Sequence, residues 1–183
     1  MFAPYVIINA MVDKFFYAEK HAFSSSQSAI KKILSDFYGI ESPLLSYTEN
    51  GKPILENGKI HFSVTHTDEL FFLAFSDEEI GVDAEVITRK VNYSPILKKI
   101  HPTFHKKINS NEDFLKVWTV LESAVKYLGG TIAHDLKEFS IKNNALYYRN
   151  QPFAPTVSTQ IFENHFVTVC AKCFNNATFV KLS

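Results

Sequence analysis

The sequence has little of what marks several common protein classes. Its 183 residues include two cysteines, and its 19 basic and 19 acidic side chains leave a formal net charge of zero. A neutral chain is a poor general binder of nucleic acid, because phosphate contacts need an excess of Lys and Arg. No apolar run reaches the length that a bilayer crossing requires. We therefore expect neither nucleic acid nor a membrane as a partner, and we predict a cytoplasmic protein.

The apolar stretch at residues 1–12 has no basic lead-in, which a secretory signal would carry. It is also too short to span a bilayer. We therefore predict a first strand at about residues 5–11.

The two cysteines form a C-x-x-C pattern, Cys170 and Cys173, inside a segment rich in Val, Thr and Phe. In a strand, a spacing of three directs two side chains to opposite faces. A zinc half-site would need two further ligands, and a redox pair would need a turn. Structural thiols are therefore the favoured interpretation.

What the chain does contain is typical of a globular protein, since 46% of its residues are apolar and 17 are Phe. Ser24–26 and Gly39 bracket a predicted helix whose inward residues are Ala29, Ile30, Ile33, Leu34 and Phe37. Strands are predicted at residues 44–47, 138–142, 145–149, 157–163, 166–173 and 177–182, and an antiparallel meander at 60–67, 70–76 and 80–87. This order, helix then strands, occurs twice and predicts an α+β fold of two similar lobes, residues 1–81 and 82–183.

The second helix runs from about residue 111 to Gly129-Gly130, which is a stop signal. Its apolar stripe consists of Phe114, Val117, Trp118, Leu121, Val125 and Leu128. Asn111 is the expected N-cap. Glu122 and Lys126 are four residues apart and therefore share one face of this helix.

Upstream, Asp83 and Glu85 are two residues apart in a predicted strand and therefore point to the same side. Together with Glu122 they would suit a hard divalent cation such as Mg²⁺, which prefers oxygen ligands. Lys126 would lie where it could steady a transferring phosphate. Carboxylates in such patterns are more often merely solvated, so the residue types alone leave both interpretations open.

Charge is distributed unevenly along the chain. Residues 60–88 contain seven acidic and no basic residues, whereas residues 86–111 contain six basic and no acidic ones. Both runs could simply be solvated surface. The basic segment, defined here by Arg89, Lys90, Lys98, Lys99, Lys106 and Lys107, could instead meet an acidic partner.

Four motifs follow one another in the order Gly-Lys-Pro at 51–53, FSVTHT at 62–67, GVDAE at 81–85 and WTVLESAVKYLGG at 118–130. This order resembles the 4′-phosphopantetheinyl transferases, of the larger monomeric type that activates surfactin synthetase. The resemblance extends loosely to residue 141. The first 50 residues match the family only in their general arrangement of predicted elements and carry none of its motifs. It implies a pseudo-dimer of two lobes, each a small antiparallel sheet packed with a helix, and a cofactor between them.

The resemblance also implies a function, namely Mg²⁺-dependent transfer of 4′-phosphopantetheine from coenzyme A to a serine of an acyl or peptidyl carrier protein. The second product would be 3′,5′-ADP, and the enzyme would be a monomer. The implied roles are Asp83, Glu85 and Glu122 for Mg²⁺, Glu122 and Lys126 for catalysis, His66 and Lys126 for the pyrophosphate, and Lys52 and Thr65 for the nucleotide end of coenzyme A.

One residue departs from the family pattern, because Leu121 stands where the family has a lysine directly before the glutamate. Losing one preorganised cation near the phosphates typically slows such a reaction roughly a hundred- to a thousandfold. Two alternatives therefore remain open: a non-catalytic module that binds coenzyme A or a carrier protein, and a metal-dependent pyrophosphate hydrolase.

Overall fold

The computed structural model of the chain describes residues 14–56, 58–173 and 178–182. The predicted strand at 5–11 lies outside them. The strands are β1 (Lys14–Glu19), β2 (Leu45–Tyr47), β3 (Pro53–Leu55), β4 (His61–His66), β5 (Leu70–Ser76), β6 (Ile80–Val86), β7 (Phe139–Lys142), β8 (Ala145–Tyr148), β9 (Gln151–Pro152), β10 (Thr156–Phe162), β11 (His165–Ala171) and β12 (Phe179–Lys181). The α-helices are α1 (Ser26–Tyr38), α2 (Ser94–Leu97), α3 (Asn111–Tyr127) and α4 (Ile132–Asp135).

Two sheets carry the two long helices. The first sheet has the strand order β12-β1-β5-β4, and α1 buries its apolar face against it. The second has the order β10-β11-β6, and α3 packs on one face of it. An apolar cluster that includes Phe72 and Val169 joins the two sheets on the faces turned away from the helices. The predicted α+β class, with small antiparallel sheets and packed helices, is confirmed.

Helix α1 follows its sequence signals closely. The Ser25 hydroxyl accepts a hydrogen bond from the Ser28 amide, and Gly39 ends the helix with a φ of 69°, which favours glycine. Four of the five predicted inward residues are buried. The prediction was wrong for Phe37, which is 39% exposed and only leans against Phe16 at the edge of the core.

The predicted meander is correct for β4 and β5, which pair antiparallel, but wrong for β6. Both edges of β5 are occupied, one by β4 and the other by β1. Strand β6 therefore pairs with β11 in the second sheet, with Asp83 opposite Thr168.

The two sheets meet where β4 lies alongside β6. The Val82 amide donates a hydrogen bond of 3.0 Å to the Ser63 hydroxyl across this junction. The predicted lobe boundary between residues 81 and 82 falls inside β6, all of which pairs with β11. The last strand, β12, returns to pair parallel with β1. The division into two lobes at that point remains a prediction.

The N-cap of helix α3 lies one residue before its predicted position, because Ser110 rather than Asn111 accepts the hydrogen bond from the Asp113 amide. Phe114, Leu121 and Val125 of the predicted stripe are buried, and Trp118 is half-buried and stacks on Phe114. Leu128 lies beyond the last helical residue and is 40% exposed, contrary to prediction. Among the described residues, no helix has both the length and the apolar character needed to cross a bilayer.

The C-terminal hairpins are close to their predicted bounds. Asn143 and Asn144 turn between β7 and β8 with positive φ angles. The turn between β10 and β11 lies at Glu163 and Asn164, one residue before its predicted position, and His165 starts β11 as a buried side chain. Cys170 is buried, Cys173 is exposed, and both are free thiols.

Candidate active site

Three carboxylates converge where β6 packs against α3. A Cβ atom added at Gly81 would lie 2.0 Å from the carbonyl oxygen of Ser123, so this face of β6 is turned directly towards the helix. Because side chains alternate along a strand, Asp83 and Glu85 share that face. Glu122 comes from α3 and lies next to Ser123. The carboxylates of Asp83 and Glu85 both repel the charged form of Glu122, so the three groups lie within electrostatic reach of one another.

Lys126 lies at the centre of this group. Its Nζ donates to Asp83 Oδ1 at 2.7 Å and to the Val82 carbonyl at 3.1 Å, and it lies 3.8 Å from Glu122 Oε2. Thr65 on β4 donates from Oγ1 to the same Asp83 oxygen at 2.9 Å. The predicted pair of Glu122 and Lys126 therefore shares a helix face that is turned into the site.

Burial and repulsion between carboxylates raise the pKa values of two acids of this site, Glu122 and Glu85. Burial is the first cause that raises the pKa of Glu122 to about 8, followed by repulsion from Asp83, while Lys126 opposes the rise. Burial also raises the pKa of Glu85 above its usual range, although its ion pair with Arg89 opposes the change. A carboxyl group with a pKa near neutrality can exchange protons with a substrate.

The donor set fits a hard divalent cation in its chemistry. All three groups are carboxylates, and a cation between them would relieve the repulsion that raises the pKa of Glu122. As the side chains stand, however, no group of three or more His, Cys, Asp or Glu residues in the described ranges is arranged to hold a metal. Lys126 and Arg89 occupy oxygens of Asp83 and Glu85 instead.

A cavity of about 230 Å³ opens beside Lys126. Lys52, Ser63, Lys126 and Gly129 contribute to its wall. The Asn50 side chain donates a hydrogen bond of 2.8 Å to the Gly129 carbonyl and so ties the 50–53 loop to the end of α3. Two of the residues predicted to bind coenzyme A, Lys52 and Lys126, therefore face one cavity.

The other two residues predicted to bind coenzyme A, Thr65 and His66, lie on β4 and do not line this cavity. Thr65 is buried against Asp83, and His66 is exposed with its ring edge-on to Phe71. A larger cleft of about 930 Å³ begins just beyond them, with Thr67, Asp68, Val86 and His165 in its wall. None of the predicted site residues lines this larger cleft.

Known proteins resemble the chain over most of its length. It is 25% identical over 166 residues to 4′-phosphopantetheinyl transferase gsp of Aneurinibacillus migulanus, covering 84% of this chain and 69% of that protein. It is 27% identical over 127 residues to 4′-phosphopantetheinyl transferase ffp of Bacillus subtilis, covering 62% of this chain and 54% of that protein. The chain is therefore similar to proteins named as 4′-phosphopantetheinyl transferases, the family that its motifs resemble. The chain thus spans about half the length of the second relative, and no family model matches it.

The departure of this chain from the phosphopantetheinyl transferase pattern at Leu121 has a structural explanation. Leu121 is fully buried and packs with Ile100, Phe104 and Phe139. Its neighbour Glu122 instead faces the carboxylate site. Leu121 therefore contributes to the apolar core that holds α3 in place.

We expect that restoring the family residue with Leu121→Lys will destabilise the fold and will not speed catalysis. An uncompensated charge at a fully buried position costs about 3–5 kcal/mol, so we expect the melting temperature to fall by roughly 10 °C in a domain of this size. Leu121→Met is the matched control and should cost less than about 1.5 kcal/mol. A Leu121→Lys protein that melts like the wild type would show that the side chain reaches solvent or the phosphates.

Three residues of the site have no role assigned by the resemblance to phosphopantetheinyl transferases. Arg89 pairs with Glu85, Glu79 accepts from Lys52 at 2.6 Å, and Ser63 joins β4 to β6. Arg89 follows a turn closed by a 3.0 Å hydrogen bond from its amide to the Val86 carbonyl, so no strand or helix period relates it to Glu85. Glu79 and Ser63 act across contacts that are distant in sequence.

Proposed function

We propose that this protein transfers 4′-phosphopantetheine from coenzyme A to a serine of a carrier protein, with release of 3′,5′-ADP. The observation that carries the proposal is the convergence of Asp83, Glu85 and Glu122 around Lys126, beside a cavity walled by a second lysine, Lys52. The names of the two relatives support the same reaction class.

In the proposed reaction, the serine oxygen attacks the β-phosphorus of coenzyme A and the bond to the 3′,5′-ADP oxygen breaks. The serine proton passes to Glu122, directly or through one water molecule. Lys126 neutralises charge on the pyrophosphate with its ammonium group. Hydrogen bonds to Asp83 and to the Val82 carbonyl hold that group in position before the substrate binds. Lys52 lies further along the cavity and would meet the nucleotide phosphates.

Asp83, Glu85 and Glu122 are the residues that would hold Mg²⁺. When bound, Mg²⁺ would neutralise the pyrophosphate charge as a Lewis acid. Thr65 fixes one Asp83 oxygen through its hydroxyl, which leaves the second oxygen of that carboxylate available as a ligand.

The experiment that tests the function is a mass spectrum of carrier proteins. The protein is incubated with coenzyme A, Mg²⁺ and a panel of apo carrier proteins, with EDTA in a parallel sample. We expect one added phosphopantetheine on a carrier serine, abolished by EDTA. Release of 3′,5′-ADP without any carrier would indicate the hydrolase alternative. Calorimetric binding of coenzyme A without any transfer would indicate the binding module.

The basic segment is the proposed docking surface for the carrier protein. Lys98, Lys99, Lys106 and Lys107 are exposed, whereas Ile100 and Phe104 between them are buried against α3. The packing therefore fixes the backbone and directs the lysines outwards. Complementary charge of this kind speeds the encounter with an acidic partner.

For this surface we expect Lys98→Gln/Lys106→Gln to raise the KM for the carrier about tenfold at low salt, with little change in kcat. The difference should shrink as salt is added, because exposed charges are screened. Lys172→Gln/Lys181→Gln removes the same charge from other exposed positions and is the control. Equal KM values for the two double variants would reject the docking surface.

A further inference from the structure

Arg89 lies across the carboxylate of Glu85. Its Nη1 donates to Glu85 Oε1 at 2.6 Å and to Oε2 at 2.5 Å, so one guanidinium nitrogen contacts both oxygens. The Glu85 side chain is 12% exposed and that of Arg89 is 55% exposed. The acid is therefore fixed in the protein, while the base reaches it from the surface.

The position of Arg89 is built into the fold. Asn111, the first residue of α3, donates from Nδ2 to the Arg89 carbonyl at 2.7 Å and accepts from the Val91 amide at 2.9 Å. Helix α3 also carries Glu122. The backbone from which the guanidinium extends is thus tied to the same helix that supplies one of the proposed metal ligands.

A guanidinium group and a divalent cation require the same oxygens of Glu85. Asp68 and Glu122 also attract Arg89, so the guanidinium lies within the field of the carboxylate site. The Arg89 side chain is half exposed, so its guanidinium can leave the carboxylate and be hydrated by solvent. A cation of charge +2 attracts the carboxylate more strongly and so can displace it.

We propose that Arg89 is a positioning residue that competes with the divalent cation for Glu85. The inference rests on the proposed function, because it takes Glu85 as a metal ligand. With Arg89 in place, the ligand-free protein holds the cation weakly. The cation gains full affinity when the coenzyme A pyrophosphate adds its own oxygen ligands. The residue thereby couples metal binding to substrate binding.

The test is Mn²⁺ binding to the ligand-free protein, measured by electron paramagnetic resonance. A charge-assisted hydrogen-bonded pair of this kind is strong enough that Arg89→Gln should bind Mn²⁺ about tenfold more tightly than the wild type. Arg89→Lys keeps the charge but changes the length and shape of the side chain, so it should lie between the two. Lys90→Gln removes one charge from the neighbouring exposed position and should stay within about twofold of the wild type.

The outcomes separate this inference from the proposed function. One outcome rejects the competition but keeps the metal site. In that case the wild type binds Mn²⁺ when coenzyme A is present, but in the absence of coenzyme A Arg89→Gln and the wild type bind Mn²⁺ equally tightly. Equal tightening by Arg89→Gln and Lys90→Gln would reduce the effect to general charge and also reject it. If no variant binds Mn²⁺ with or without coenzyme A, both the competition and the proposed metal site are wrong.

Discussion

Glu122→Gln is expected to reduce phosphopantetheine transfer about a thousandfold or more while leaving the protein folded. The substitution removes one proposed metal ligand and the proposed proton acceptor together. Loss of a general base alone typically costs a hundred- to ten-thousandfold. The measurement is the initial rate of carrier modification at saturating coenzyme A, followed by mass spectrometry.

Helix α3 supplies a matched control for this substitution. Glu112 and Lys116 form the same i,i+4 arrangement as Glu122 and Lys126, ten residues earlier on the helix, and both of their side chains are about half exposed. Glu112→Gln should leave the transfer rate within about twofold of wild type, because exposed pairs contribute little. Similar losses in both variants would mean that the carboxylate site is not where transfer occurs.

Stability should separate a catalytic role of Glu122 from a structural one. In metal-free buffer, the raised pKa means that folded Glu122 keeps its proton up to about pH 8, whereas the unfolded chain releases it near 4.5. The folded state binds more protons over that range, so the wild type loses stability relative to Glu122→Gln as the pH rises from 4.5 to 8. A Glu122→Gln protein that melts well below the wild type at pH 8 would indicate a structural role.

Local patterns predicted the two long helices, α1 and α3, and most strands, because each signal lies within a few neighbouring residues. Ser25 and Gly39 bound α1, and the stripe from Phe114 to Val125 gives α3 its buried face. The pairing of Glu122 with Lys126 follows from the helical period alone. These features depend on periodicity and capping, which a sequence displays directly.

Features that depend on distant partners could not be predicted in this way. The pairing of β6 with β11 rather than with β5 was missed, because it depends on β1 occupying the other edge of β5. The side of α3 on which Leu121 packs is set by the segment around Ile100 and Phe104. The motif resemblance supplied the connection between β6 and α3 that periodicity alone left open.

Gly81→Val is expected to cost about 3 kcal/mol of folding stability or more and to separate the proposed metal ligands. The φ angle of Gly81 is not the reason, because the obstacle is space. An added Cβ would lie 2.0 Å from the Ser123 carbonyl oxygen and 2.6 Å from the Tyr127 amide nitrogen, both backbone atoms of α3 that cannot rotate away. Overpacking of this kind usually costs about 1–3 kcal/mol where side chains can adjust, and more where they cannot.

Relief of that clash requires β6 to move away from α3, which also moves Asp83 and Glu85 away from Glu122. We therefore expect transfer to fall about a hundredfold in whatever fraction remains folded, since small misplacements of catalytic groups cost this much.

Gly39→Ala is the control, because Gly39 has a φ of 69° but open space around its Cβ position. It should cost only about 1–2 kcal/mol and leave transfer by the folded protein unchanged, as α1 packs on the first sheet. Thermal melting together with the rate per folded molecule measures both effects. A Gly81→Val protein with wild-type stability and rate would mean that β6 and α3 do not approach as closely as the site requires.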